Sequence, residues 1–295
     1  MNERLSAWVQ AVTAAPVTGH ERMTGSSSTT LWRVDVGTDR LVLRVHDNSD
    51  WLRKEPDLVA HEVAALQYAF DAGLPVPEPV AWDAAGEACG LPLLLMSWLP
   101  GSVLLQPASM DDWLRQQARA LLDLHRLPAT DFGWEWFSWA PAVPEVPGWS
   151  EVPEAWERAI RITAGQAPAA PSGFIHRDYH PVNLLWQGQN LSAVVDWVNA
   201  CRGAAAVDLA HCRSNLIVLY GPEPADRFLQ HYRQFGGADH GDMSWWDLKS
   251  LTECLPGPPE VYPGWAPFGI RNITRELLRA RLDAHLLSVL RQLPG

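Results

Sequence analysis

The sequence predicts an α+β protein in which an antiparallel β-sheet lobe is followed by a mainly α-helical lobe. Three observations carry this reading. Residues 30–36 and 40–45 alternate apolar and polar side chains around Gly37, Thr38 and Asp39, the pattern of a β-hairpin. Residues 57–71 place Val59, Val63, Leu66 and Phe70 on one face of a helix that begins after Pro56 and ends before Gly73 and Pro75. Past residue 100 the long periodic stretches, 111–127 and 274–293, are helical. At 295 residues, 47 % hydrophobic and 19 % charged, the chain can bury a large core, which excludes disordered, collagenous and coiled-coil classes.

The remaining segments fall around these. Residues 93–98 form a buried strand that Leu99, Pro100 and Gly101 break, and this break divides the chain into lobes at 1–99 and 100–295. Residues 141–153 are irregular on composition. A net charge of −11, from 34 acidic and 23 basic residues, argues against nucleic acid and against anionic membrane surfaces. The first ten residues hold no apolar leader core, and the longest apolar run, 91–99, is interrupted by Pro92 and Ser97. Cys89, Cys201, Cys212 and Cys254 make no C-x-x-C pair, so a reducing, cytoplasmic location is expected. No feature of the sequence sets an oligomeric state.

The chemistry gathers between Phe174 and Trp197. Residues 184–186 and 191–195 are two short apolar strands joined by a four-residue turn, Gln187 to Asn190. Asn183 precedes the first strand and Asp196 follows the second, so a hairpin brings an amide oxygen and a carboxylate to its open end, where cross-strand neighbours lie about 4.5–5.5 Å apart. Those donors suit Mg2+, which takes a few protein oxygens and leaves its other positions to water and substrate phosphates. Pro181 forbids a regular helix between Asp178 and Asn183, so the segment loops back and a second carboxylate faces the same cluster. Taken singly, Asp and Asn at strand ends are turn formers. The combination H-R-D-x-x-x-x-N, hairpin, Asp is far more specific.

His176, Arg177 and Asp178 followed by Asn183 resemble the kinase catalytic loop, and Val195, Asp196 and Trp197 resemble the metal-binding Asp motif of the aminoglycoside phosphotransferase family. The strand around Arg44 resembles the one that carries the phosphate-binding cation, and the helix around Glu62 the one that supplies its acidic partner. Residues 96–101 resemble the family hinge, and residues 206–210 the segment whose acid, Asp208, supports the catalytic loop from below. The matches run in family order from about residue 25 to residue 215. The resemblance implies a bilobal protein kinase-like fold, with 1–99 as a nucleotide-binding lobe and 100–295 as a catalytic and substrate-binding lobe. It implies transfer of the γ-phosphoryl group of ATP or GTP to a hydroxyl of a small molecule. Asp178 is then the catalytic base, and Asn183 and Asp196 hold Mg2+. Arg44, oriented by Glu62, meets the inner phosphates, the backbone at Ser97 and Trp98 meets the purine, and Leu185 packs beneath it.

The residues support part of this independently. Glu62 falls between Val59 and Leu66 on the apolar stripe of its helix, where a carboxylate needs a cation. Arg44 alternates with Leu43 and Val45 and points away from their face, into a cleft or, on strand pattern alone, into solvent from an edge strand. Two departures from the family pattern stand out: Arg44 where kinases mostly place Lys, and one glycine, Gly25, in the Ser-rich loop 23–29 where a Gly-rich cover has several.

Other readings weigh less. His176, Asp178 and His180 have the alternation of a zinc site, yet no further His or Cys recurs nearby at ligand spacing; His176 and His180 read more simply as loop-stabilising, and His125 as a helix-end residue. A protein kinase needs an activation segment, but eleven residues separate Asp196 from Asp208 and neither D-F-G nor A-P-E occurs there. A non-catalytic nucleotide-binding protein of the same fold is the further alternative. For the acceptor, Asp111, Asp112, Glu135, Glu145, Glu151, Glu154 and Glu157 suggest an acidic pocket for a polyamine antibiotic, while five tryptophans between 134 and 156 suggest aromatic faces for a sugar ring or a macrolide. An aminoglycoside, a macrolide, and a metabolic hydroxyl compound such as choline or a sugar are all compatible, the first two implying a role in antibiotic resistance.

Overall fold

Arg44 stands on the central strand of an antiparallel sheet. In a computed structural model of the chain, which describes residues 1–24, 28–237, 243–255 and 257–293, the first elements are α1 (Glu3–Thr13), β1 (Val17–Arg22), β2 (Thr30–Val36), β3 (Asp39–Val45), α2 (Ser49–Lys54), α3 (Leu58–Asp71), β4 (Pro79–Asp83) and β5 (Leu93–Ser97). The five strands run in the order β1-β2-β3-β5-β4 with antiparallel pairing throughout. β3 is therefore flanked on both sides and is no edge strand. Gly25, Ser26 and Ser27 of the Ser-rich loop lie outside the described residues.

Strand alternation builds the two faces of this sheet. Val34, Val36, Leu43, Val45, Leu93 and Leu95 form one apolar layer with Leu5 and Val9 of α1, each such side chain contributing about 1.5–3 kcal/mol when fully buried. Arg44, between Leu43 and Val45, is carried to the opposite face. The β2–β3 hairpin pairs Val36 with Asp39 across Gly37, whose φ of +59° suits a residue without a side chain.

Two compact units result. The first comprises Met1–Gly101 and Ser192–Ala200, the second Ser102–Leu191 and Cys201–Gly295. The later elements are α4 (Met110–His125), α5 (Pro153–Thr163), β6 (Ser172–Ile175), a 3-10 turn (Pro181–Asn183), β7 (Leu184–Gln187), β8 (Asn190–Val194), β9 (Cys201–Ala204), α6 (Ala205–Tyr220), α7 (Pro222–Gln234), α8 (Met243–Thr252), a second 3-10 segment (Pro263–Phe268) and α9 (Arg275–Leu290). In the second unit, Trp156, Ala159, Leu248, Leu251, Leu286 and Val289 pack α5, α8 and α9 together. Asp283 of α9 ties the irregular segment before α5 to this core, accepting from Ser150 Oγ at 2.7 Å, Glu151 N at 3.0 Å and Trp156 Nε1 at 2.8 Å. No helix among the described residues is long and apolar enough to cross a membrane.

One local expectation is corrected. β7 and β8 pair as a two-stranded ribbon, but its turn contains two residues, Gly188 and Gln189, rather than four. Gly188 adopts φ +62°, and a residue free to do so allows the tighter connection.

Candidate active site

The first unit brings three of the expected residues together. Arg44 is buried, and its Nη1 lies 3.3 Å from Glu62 Oε1 and donates to Asp196 Oδ1 at 2.7 Å. α3 buries Glu62 on its packed face, as its place in the stripe requires. Burial disfavours the charged form of both groups, but the carboxylates of Glu62 and Asp196 outweigh it at the guanidinium, and Arg44 with His46 holds the Glu62 carboxyl below its usual range. Asp196 adopts φ +68°, a left-handed conformation unusual for a residue with a side chain, and its side chain is 34 % exposed. Nearby, Ser97 N donates to Glu78 O and its hydroxyl accepts from Glu78 N, both at 2.9 Å, while the Arg40 guanidinium sits 5.5 Å over the Trp98 ring.

The second unit brings together Asp178 and Asn183. Pro181 opens the 3-10 turn that folds the loop back, and Asn183 Nδ2 donates to Asp178 O at 2.9 Å and to Asp178 Oδ2 at 3.2 Å. Both bonds use the amide nitrogen, so the amide oxygen keeps its acceptor capacity for another group. Leu185, on β7, is half-buried. The two residue groups thus belong to different units.

A fully buried acid fixes the loop. Asp208 on α6 accepts from His176 N at 2.8 Å, Arg177 N at 2.6 Å and His125 Nε2 at 3.0 Å, and His125 Nδ1 in turn meets the Tyr232 hydroxyl at 2.8 Å. These bonds hold Arg177 at φ +65°, with its guanidinium stacked 4.1 Å from the Phe137 ring centre and 3.9 Å from that of Trp139. His125 therefore supports the acid that supports the loop.

His211, which no reading of the sequence singled out, completes the surroundings of Asp178. Its Nε2 lies 3.1 Å from Asp178 Oδ1, and His180 Nε2 lies 3.7 Å from the same oxygen. Desolvation pushes the Asp178 carboxyl upward, but the charges of His180 and His211 and the His211 hydrogen bond outweigh it and hold the carboxyl well below the usual carboxylate range. Desolvation lowers His211 while its bond to Asp178 raises it, with a net rise. By contrast, burial pushes the Cys201 thiol up to about 12, which removes it as a nucleophile at neutral pH.

A cavity of about 350 Å³ opens beside His211, walled by Trp149, Trp156, Tyr262, Trp265 and Leu278 with Glu260 at one side. None of the acids expected to form a polyamine pocket lines it. Asp111 instead pairs with Arg227 and His231, Asp112 with Arg115, Glu135 with Arg202 and Glu157 with Arg161. These four acids each belong to a charge pair.

Comparison with known proteins decides the family. A profile described as the phosphotransferase enzyme family matches residues 21–246. The chain belongs to the phosphotransferase enzyme family. Among curated family relatives, a homoserine kinase of Methylobacterium radiotolerans is 28 % identical over 165 residues, 51 % of this chain and 50 % of that protein, so the chain spans about half the length of the curated relatives it matches. Among solved structures, a putative aminoglycoside phosphotransferase from Ralstonia eutropha JMP134 superposes with a TM-score of 0.66 over 98 % of each chain at 16 % identity. A thermostable mutant of aminoglycoside phosphotransferase APH(4)-Ia, in ternary complex with ADP and hygromycin B, does so with a TM-score of 0.66 over 99 % of each chain at 14 % identity. The chain thus shares the kinase-like fold of these neighbours, an antiparallel N-terminal sheet and a helical C-terminal part.

Proposed function

We propose that this phosphotransferase moves the γ-phosphoryl group of ATP or GTP to a hydroxyl of a small molecule. The observation that carries the reading is the placement of Asp178, 3.1 Å from His211 Nε2 and bonded by Asn183 Nδ2, on a loop whose His176 and Arg177 amides bond Asp208. Asp178 orients the acceptor hydroxyl and takes its proton as the oxygen attacks, a contribution of about 10²–10⁴ in rate. Arg44 meets the inner phosphates, with Glu62 and Asp196 setting its guanidinium. The backbone at Ser97 and Trp98 receives the purine and Leu185 packs against it, so that 1–99 serves the nucleotide and 100–295 the chemistry and the acceptor.

The donor types suit Mg2+: Asn183 of the second unit keeps its amide oxygen, and Asp196 of the first offers a partly exposed carboxylate. A bound ion would neutralise charge on the phosphates. The acceptor enters from the cavity beside His211. Its aromatic and apolar wall suits a sugar-bearing or macrolide-like molecule, so we favour an antibiotic acceptor and a resistance role over a polycation. The homoserine kinase relatives support a second reading, a metabolic hydroxyl compound. A cytoplasmic location accords with cysteines that form no disulfide among the described residues.

Nucleotide consumption measured with ATP and GTP against macrolides, aminoglycosides, homoserine, choline and sugars tests the reading. Acceptor-dependent release of nucleoside diphosphate with a phosphorylated product is expected; no transfer to any acceptor with either Mg2+ or Mn2+ would contradict it.

A further inference from the structure

Asp178, His180 and His211 present one carboxylate oxygen and two imidazole nitrogens whose donor atoms all lie within 4.8 Å of one another. A tetrahedral Zn2+ with bonds of about 2.0–2.2 Å places its ligands roughly 3.3–3.5 Å apart. The separations of Asp178 Oδ1 from His211 Nε2, 3.1 Å, and from His180 Nε2, 3.7 Å, bracket that spacing. The imidazole rings, 5.7 Å apart at their centres and inclined at 71°, face each other edge to face. Three protein ligands leave a fourth position open to water, the pattern of an accessible zinc centre rather than a closed structural one.

The framework is already ordered. Asp178 and His180 sit on the loop that Asp208 anchors, immediately before the 3-10 turn begun by Pro181. His211 is carried by α6, three residues after Asp208; Asn215, one turn further on, donates to the His211 carbonyl at 3.0 Å and lies 3.2 Å from His211 Nε2, a contact that a metal on that nitrogen would displace. Two imidazoles and one carboxylate favour borderline transition-metal ions over Mg2+, which prefers an all-oxygen shell. This set is therefore chemically distinct from Asn183 and Asp196.

We propose that Asp178, His180 and His211 form a transition-metal site that binds Zn2+ and, by occupying the Asp178 carboxylate, switches off phosphoryl transfer. The metal site stands on geometry alone; its inhibitory effect rests on the function proposed above. No redox or covalent step is involved: the ion exchanges bound water for three protein donors, and any proton on the imidazoles goes to solvent.

Cobalt titration of the chelator-treated full chain, without nucleotide or acceptor, tests the site. The intense visible absorption of tetrahedral Co2+ is expected, bleached by Zn2+ and unmoved by Mg2+. His211→Gln and His180→Gln should each weaken Co2+ binding by at least about tenfold, since even losing an outer partner of a metal ligand costs 10–100-fold. The two residues lie on different elements, so if one variant fails to fold, as judged by circular dichroism, the other still reads the site. Only the weak absorption of octahedral Co2+, or a folded variant binding as the parent does, would overturn the site and leave the kinase reading intact. At saturating Mg2+ and nucleotide, Zn2+ should lower turnover in proportion to site occupancy; undiminished turnover at full occupancy would overturn the inhibition. A protein that transfers no phosphate to any acceptor would still show the tetrahedral cobalt spectrum, so the two readings fail separately.

Discussion

Arg44 Nη1 lies 2.7 Å from Asp196 Oδ1, closer than the 3.3 Å that separates it from Glu62, its expected partner. One guanidinium thus links the buried acid of α3 with the acid that follows β8. Both carboxylates face the same nitrogen, Nη1, so the contact is that of one charged nitrogen between two acids rather than of a two-pronged fork.

Removing that cation should be costly. Arg44→Met leaves Glu62, 1 % exposed, as a buried charge without its cation, and breaking such a pair costs about 3–5 kcal/mol. Urea denaturation should show a loss of that size, and Arg44→Met combined with Glu62→Leu should recover much of it. If the double variant is no more stable than Arg44→Met alone, the pairing argument fails.

Asp208 carries the loop geometry through two hydrogen bonds to its backbone, and a third, from His125, holds Asp208 itself. Asp208→Asn keeps the size but replaces one acceptor oxygen with a donor that faces backbone N–H groups. The expected result is a loss of about 2–4 kcal/mol, since a buried unsatisfied donor costs about 1–3 kcal/mol and bonds to charged groups contribute more than neutral ones. Turnover should fall with it; Arg177 amide exchange, followed by deuterium uptake, should rise. Unchanged exchange at 176–178 would show that the loop is held by something else.

Stability should decline in mild acid. Desolvation depresses the folded-state pKa of His61 and of His285, both buried, below the ordinary 6.5. Between that value and the lowered one, the unfolded chain binds more protons than the folded one, so unfolding free energy falls as pH drops. Each group contributes up to about 1.4 kcal/mol per pH unit across that window and nothing above pH 7.5. Melting temperature measured from pH 8 to 5 should fall below about pH 6.5, where the opposing gain from His211, whose folded-state pKa is raised, is already complete. His285→Gln should make the fall shallower; an identical profile would contradict the assignment.

The cavity beside His211 gives a prediction that separates acceptor from nucleotide. Trp265→Ala removes one aromatic wall, worth about 0.5–1.5 kcal/mol beyond area burial in aromatic contacts. Steady-state kinetics on an identified acceptor should show its KM rising about three- to tenfold with the nucleotide KM unchanged. A change in the nucleotide KM instead would move the acceptor pocket elsewhere.

Much of this was readable from local pattern. Glu62 stood out because a carboxylate on an apolar stripe needs a buried cation, and Asp178 with Asn183 because Pro181 forces a turn between them. The β2–β3 hairpin and α3 followed from periods of two and 3.6. His211 was not readable, since it enters from a helix 33 residues after Asp178, and ligand spacing in sequence finds only near neighbours. α6 itself is obscure for a related reason: it buries Asp208 and Arg213 along with Ala206, Leu209, Cys212, Leu216 and Ile217, so polar and apolar residues do not separate onto two faces. Composition alone does not assign the acids of the second unit, since it cannot separate a ligand-binding carboxylate from one paired with a helix neighbour such as Arg115 or Arg161.

The most direct measurement is a single-turnover assay of Asp178→Asn with radiolabelled γ-phosphate nucleotide, alongside nucleotide binding followed by tryptophan fluorescence. Phosphoryl transfer should fall by at least about 10², the contribution of a positioned base, while the nucleotide dissociation constant stays within about twofold. Transfer at the parent rate by the folded variant would contradict the assignment of Asp178 and the mechanism built on it.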